Sequence, residues 1–182
     1  MDVDRSMTRT GAEYPLSSVQ LLSWREPVDS VIRTFDLGRM FSGDQLGPLG
    51  AVPVMALLAG GIYLMARGHM RPHVPLAFLA GMWIAASVFR AVDPDRFATP
   101  IFHLAASGAV FGAFFLAPLA PCAPVFGVPM LLFGALGGIL TVVIRSAGIL
   151  PDGTPMAILV ACLAAPFLSK IRPRPLGRVK LP

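Results

Sequence analysis

Between Arg96 and Arg145 the chain carries no Asp, Glu, Lys or Arg. A stretch of that length without a full charge has no counterpart in the core of a water-soluble domain, where each helix needs a polar face toward solvent. It is too long for one membrane helix and about right for two, since a hydrocarbon layer of roughly 30 Å takes about 17 to 25 apolar residues per crossing. The dividing turn is visible in "APLAPCAP", residues 117–124, whose prolines remove backbone donors and disfavour helical geometry in the residue before each.

The rest of the sequence fits the same solvent. Of 182 residues, 55% are hydrophobic and 14% charged, a balance that places the chain in a membrane. Five spans are predicted: 47–66, 73–89, 98–117, 125–144 and 153–169. The expected fold class is an all-α membrane protein, with five transmembrane helices preceded by a short amphipathic interfacial helix. That helix is read from "REPVDSVIRTFDLGRMF", where Val28, Val31, Ile32 and Phe35 recur at helical spacing. A short helix packed on the protein's own outer loops fits the same pattern. The domain reading is an extramembrane tail over 1–45, the bundle over 46–169 and a basic tail over 170–182. No contiguous apolar core marks the polar start "MDVDRSMTRTGAEYPL" as a signal peptide.

Charge sets the expected orientation. The last residues carry Lys170, Arg172, Arg174, Arg178 and Lys180 without an acid, so they are expected in the cytoplasm. An odd number of crossings then puts the amino terminus outside, where five arginines face seven acids in the first 45 residues.

Small residues recur four apart at Gly81 and Ala85, Gly108 and Gly112, Gly134 and Gly138, and Ala161 and Ala165. That spacing lets helices approach closely in lipid. Thr154 followed by Pro155 reads as a helix start, the hydroxyl accepting from a backbone N–H and the proline needing none. Arg145 and Asp152 are expected in a solvated reversal between the fourth and fifth spans, near the outer interface. A directed role for the pair in an ion path is the other reading.

His103 lies inside the third span, where it bonds a carbonyl as a structural histidine or relays a proton. His69 and His73 flank the first turn with Arg67 and Arg71 as interface anchors. Cys122 and Cys162 stand at no ligand spacing and read as small apolar fillers. No metal-binding set, phosphate-cradling glycine loop, nucleophile elbow or paired carboxylates appear, so no catalytic residue is assigned. Nucleic acid is not an expected partner. The basic tail suits anionic lipid.

"FHLAASGAVFGAFFLAP", "FGALGGILTVVIR" and "PDGTPMAILVACLAAPF" together resemble the carboxy-terminal half of RnfD/NqrB family proteins. RnfD is a membrane component of Rnf electron-transport complexes, and its relative NqrB belongs to the sodium-pumping NADH:quinone reductase. The family text runs close to HLxSGxxxxGAFF, ATDPVTSP, LTVLIR and YPEGxxFAIL, and the likeness covers most of residues 45–170 in order and spacing. The resemblance implies a ten-helix redox subunit of the bacterial inner membrane, its second half five spans ending in the cytoplasm. It also implies flavin mononucleotide carried on the threonine of an SGAT motif, with electron passage coupled to sodium or proton movement.

The departures are confined to polar positions. Where the family reads SGATPL this chain has "TGAEYPL", so Glu13 stands at the flavin-bearing position. Thr8 and Thr10 are displaced from it. Pro48 replaces an acid, and "APLAPCAP" lacks the Thr and Asp of that turn. Arg145, Asp152 and Gly153 are retained, while the family's first half has no counterpart here. The expectation is a membrane subunit without covalent flavin of its own, working beside other subunits that hold the cofactors. The alternative is an accessory or structural subunit of another membrane complex, derived from the same scaffold.

Overall fold

The computed structural model describes residues 37–42, 50–51, 53–106, 108–124, 127–147, 152–168 and 170. Of the segment predicted to lie in the interface, residues 25–41, only 37–41 are among them; Thr8, Thr10, Glu13, Pro48 and residues 171–182 fall outside. Every regular element among the described residues is helical: α1 (Leu37–Ser42), α2 (Val54–Ala66), α3 (His73–Val92), α4 (Pro100–Ala105), α5 (Ala109–Leu119), α6 (Gly127–Ser146) and α7 (Thr154–Leu168).

Two of these, α3 and α6, are long and apolar enough to cross a membrane; α2, α5 and α7 are shorter apolar helices. The segment predicted as a first span begins its helix only after Pro53. The second runs past its predicted end to Val92, with Arg90 in the last turn, where a cation meets the partial negative charge of the helix terminus. The third span was expected to be one helix over 98–117. Instead it is broken: α4 stops at Ala105, Ala106 is extended, and Gly108 takes φ +93° before α5 begins. At about 1.5 Å per residue, α5 alone reaches about half of a roughly 30 Å hydrocarbon layer. Within α5 a π-turn over Gly112–Leu116 widens the helix, the N–H of Ala117 reaching back to the carbonyl of Gly112.

Glycine decides how the helices pack. Helices α3 and α6 run parallel, with Phe78, fully buried, set into a notch of α6 made by Gly134, Gly137 and Gly138. A Cβ on Gly134 would lie 2.6 Å from the Val74 carbonyl oxygen, and one on Gly138 would lie 2.8 Å from the Met82 nitrogen. On the other helix, a Cβ on Gly81 would lie 2.9 Å from the Ala135 Cα. Backbones approach this closely only where neither brings a side chain, which is how helices associate when lipid removes the hydrophobic drive between them. Helix α2 leans on α5 in the same manner, the ring of Phe114 occupying the place of a Cβ on Gly61.

The pattern of exposure is the reverse of a water-soluble bundle. Helix α7 buries Ala157, Ile158, Ala161 and Ala165 and turns Leu159, Leu163 and Phe167 outward. Ile62, Leu76, Ile84 and Val88 are likewise exposed on α2 and α3. Small residues inside and large apolar ones outside suit a hydrocarbon surround. The Thr141 hydroxyl, buried on α6, donates to its own helix at the Gly137 carbonyl, 2.8 Å away, so it needs no water.

The two cysteines are not separate fillers. Cys122, in the turn after α5, is disulfide-bonded to Cys162 of α7. Sequence spacing hid the pair because forty positions separate the two residues, and only the parallel course of α5 and α7 brings their Cα atoms to 5.5 Å, a normal separation for the bond.

Candidate site at a broken helix

A break inside an apolar segment exposes carbonyls at the end of one half-helix and N–H groups at the start of the next, and lipid satisfies neither. Gly108 supplies the break, since glycine tolerates the positive φ that α5 needs at its start. The chain answers the two ends with two charges.

Arg145, in the last turn of α6, serves the α4 end. Its Nη1 donates to the His103 carbonyl oxygen at 2.8 Å. Its Nη2 donates to Asp152 Oδ1 at 3.2 Å and to Thr154 Oγ1 at 3.1 Å. Asp152 stands beside the α5 end, where no side-chain cap hydrogen bond is made among the described residues. Its carboxylate lies against Gly108 so closely that a Cβ there would stand 2.7 Å from Asp152 Cγ. The same carboxylate starts α7: Oδ1 accepts from the Thr154 backbone N–H at 3.3 Å and from the Thr154 hydroxyl at 2.8 Å. One guanidinium and one carboxylate thereby tie α4, α5, α6 and α7 together. The arrangement suits the helix dipoles, the cation at a carbonyl end and the anion at an N–H end.

The site differs from the solvated turn expected of Arg145 and Asp152. Their side chains are 1% and 14% exposed, so the pair is buried, with Asp152 the member reached from outside. Burial follows from the partners: Arg145 points to the third predicted span, not to water. Thr154 was expected to cap α7 with its own hydroxyl. Asp152 takes that task, and the hydroxyl is left to accept from Arg145 and donate to Asp152, filling the space between the charges. Gly112 seats the Thr154 methyl group, and Gly153 packs against Ile144, where a Cβ would lie 2.6 Å from Cγ2.

His103 contributes its backbone carbonyl rather than its ring. The ring is buried and stands edge-on to Phe102 at 6.4 Å. Its Nδ1 meets no hydrogen-bond partner among the described residues, so the side-chain bond to a carbonyl expected of a structural histidine is not made through this atom. Gly108, Gly112 and Thr154 were not singled out as site residues from the sequence. The Ser-Gly pair in "AASGAV" was the available signal, because that dipeptide marks turns even inside an apolar run. Among the described residues no three His, Cys, Asp or Glu side chains converge as a metal site.

Comparison with known proteins gives the chain its relatives. Residues 5–177 match the model of the NQR2, RnfD, RnfE family. The RnfD component of the ion-translocating oxidoreductase complex of Cronobacter sakazakii is 37% identical over 124 residues, covering 68% of this chain and 35% of that protein. The protein of the same description from Alcanivorax borkumensis is 40% identical over 114 residues, 63% of this chain and 33% of that one. That from Pectobacterium carotovorum is 36% identical over 124 residues, 68% of this chain and 35% of that one. The chain thus spans about a third of the length of the curated relatives it matches.

Proposed function

Because the chain belongs to the NQR2, RnfD, RnfE family, we propose that it is an integral membrane subunit of an RnfD/NqrB-like ion-translocating electron-transport complex, without covalent flavin of its own. The observation that carries this reading is the buried Arg145–Asp152 pair across a helix break, in a chain related to proteins described as ion-translocating. Buried charge in a membrane is costly and is found where it pairs internally or lines a path. Five crossings of the bacterial inner membrane, with the amino terminus outside and the carboxy terminus in the cytoplasm, account for the charge partition. The end of the bundle carrying the α2–α3 turn has Arg67, Arg71 and Lys170 and no acid among the described residues, whereas the opposite end sets Arg90, Arg96 and Arg145 against Asp93, Asp95 and Asp152; the sequence after Lys170 adds Arg172, Arg174, Arg178 and Lys180 without an acid.

Glu13 supports the flavin-free part. A carboxylate in place of a hydroxyl cannot form the phosphoester that the family's threonine makes, so the cofactors belong to partner subunits and this chain is at most a non-catalytic subunit of the oxidoreductase. The accessory reading draws on a different observation, the replacement of the family's polar positions by Pro48 and by "APLAPCAP". In that case the bundle stabilises or bridges another membrane complex and conducts nothing.

Purification from native membranes in a mild detergent separates the two. Co-purification with the other subunits of an ion-translocating oxidoreductase, and a denatured chain without flavin fluorescence, is the expected result. A fluorescent denatured chain overturns the reading of Glu13, and co-purification with an unrelated complex favours the accessory role.

In the ion path, Asp152 is the station at the outer end of the bundle. A cation there meets its partly exposed carboxylate and competes with the Arg145 guanidinium for Oδ1, while Arg145 keeps its bond to the His103 carbonyl. Asp152→Asn preserves shape and removes the charge. Redox-driven cation uptake into vesicles is expected to fall about tenfold, equivalent to ~1.4 kcal/mol of lost ion stabilisation, with the complex still assembled. Unchanged uptake with normal assembly removes the path and leaves a structural pair.

A further inference from the structure

The Cys122–Cys162 bond joins the turn after α5, at the basic end of the bundle, to the middle of α7. Helices α2, α5 and α7 run toward that end and α3 and α6 start from it. Arg71 Nη1 reaches Met130 Sδ at 3.9 Å, which sets the α2–α3 turn beside the start of α6, a few residues from Cys122. Among the described residues the charges at this end are Arg67, Arg71 and Lys170, Lys170 opens the acid-free run that continues with Arg172, Arg174, Arg178 and Lys180, and an excess of Lys and Arg marks the cytoplasmic side. Disulfides on that side meet a reducing thiol pool and persist only as transient or redox-sensing bonds. We infer that Cys122 and Cys162 form a reversible thiol–disulfide site, opened by cytoplasmic thiols and closed under oxidation. The inference rests on the orientation proposed above.

Position gives the bond a mechanical consequence. Helix α7 is fastened to the broken span at two levels: Asp152 and Thr154 sit over Gly108 and Gly112 at its start, and about two turns further on Cys162 is bonded to the turn after α5. Reduction leaves the charged fastening in place and releases the middle of α7 from the turn. The redox state of the pair thus sets how rigidly the broken span is held against its neighbour.

The exchange is balanced by two small thiols. The thiolate of the first attacks the Cys122 sulfur, on the turn; the Cys122–Cys162 bond breaks, Cys122 becomes a mixed disulfide, and the Cys162 sulfur leaves and takes up a proton. A second thiolate attacks the outer sulfur of the mixed disulfide, Cys122 leaves and is protonated, and the two small thiols end as one disulfide. The protein gains two electrons and two protons.

The test reads free thiols on the full chain in its native membrane. The sequence holds two cysteines, so a polymer-tagged maleimide applied after acid trapping adds at most two tags. Dithiothreitol without denaturant is expected to give the doubly tagged chain and diamide the untagged one, a several-fold swing in their ratio. Cys122→Ser is expected to give one tag in both arms. Two tags after diamide, or none after dithiothreitol until the chain is denatured, overturns the proposal. Vesicles of defined sidedness test the orientation separately. The membrane-impermeant thiol 2-mercaptoethanesulfonate is expected to open the bond in inside-out vesicles alone. Opening in right-side-out vesicles alone overturns the orientation, and with it the argument for reduction from the cytoplasm, even where dithiothreitol gives two tags.

Discussion

Arg145→Ala is expected to deplete the folded chain from the membrane. The guanidinium satisfies the His103 carbonyl, the Thr154 hydroxyl and the Asp152 carboxylate at once, and its side chain is 1% exposed. Removing it leaves the His103 carbonyl without its donor and the Asp152 carboxylate, 14% exposed, without its cation, a loss that approaches the ~3–5 kcal/mol of a fully buried pair broken on one side. Against a total stability of roughly 5–15 kcal/mol for a typical domain, that moves a sizeable share of molecules to the unfolded or degraded pool. Arg145→Lys keeps the charge but loses the fork, because a single ammonium cannot reach the α4 carbonyl and the carboxylate with the same planar geometry. It should fall between wild type and alanine. The decisive comparison is the double variant Arg145→Ala/Asp152→Ala, which no longer buries a lone charge. If the pair is the cause, the double variant recovers part of what Arg145→Ala loses, a coupling of about 0.5–3 kcal/mol. Thermal unfolding in detergent and steady-state amount in the membrane both report it. A double variant as unstable as the sum of the singles would show that Arg145 acts independently of Asp152, through the His103 carbonyl, the Thr154 hydroxyl and its packing.

The apolar segments were legible in the sequence because lipid imposes a condition that hydropathy reads directly. The small-residue spacing of Gly81, Gly134 and Gly138 was legible for a similar reason: once the solvent is oil, close backbone approach is what glycine on a helix face supplies. What the sequence concealed were the contacts that depend on which helices are neighbours. Arg145 and Asp152 are seven positions apart and could be paired by inspection, yet their burial depends on the His103 carbonyl, forty-two positions before Arg145. The disulfide depends on α5 and α7 running side by side in the same direction. The break at Gly108 was masked by composition, since "AASGAV" is apolar enough to pass as helix by hydropathy. Hydropathy registers what a segment dissolves in and is blind to where its backbone bonds go.

That blindness makes Gly108 the residue with most at stake for its size. Gly108→Ala adds one methyl group, yet it conflicts with the structure twice. The backbone at φ +93° and ψ −29° lies where L residues are held only under strain, about 1–3 kcal/mol. The added Cβ would also stand 2.8 Å from Asp152 Oδ1 and closer still to Oδ2. The carboxylate must move, and whatever distance it gives is taken from Arg145 and from the Thr154 N–H that it caps. Relaxing the strain instead by a helical φ would join α4 to α5 and carry the His103 carbonyl away from the guanidinium. Either route disturbs the charged fastening, so the expected loss exceeds the strain alone and approaches that of Arg145→Ala. Gly112→Ala offers the control: Gly112 has ordinary helical angles, and its Cβ would meet the Thr154 methyl group rather than a charge. Its effect is expected to remain within the about 1–3 kcal/mol of local overpacking. Thermal unfolding of the two variants side by side, each with and without Asp152→Ala, separates the causes. Truncating Asp152 should relieve part of the Gly108→Ala defect and none of the Gly112→Ala defect. Equal relief of both would mean that the carboxylate is not what Gly108 makes room for.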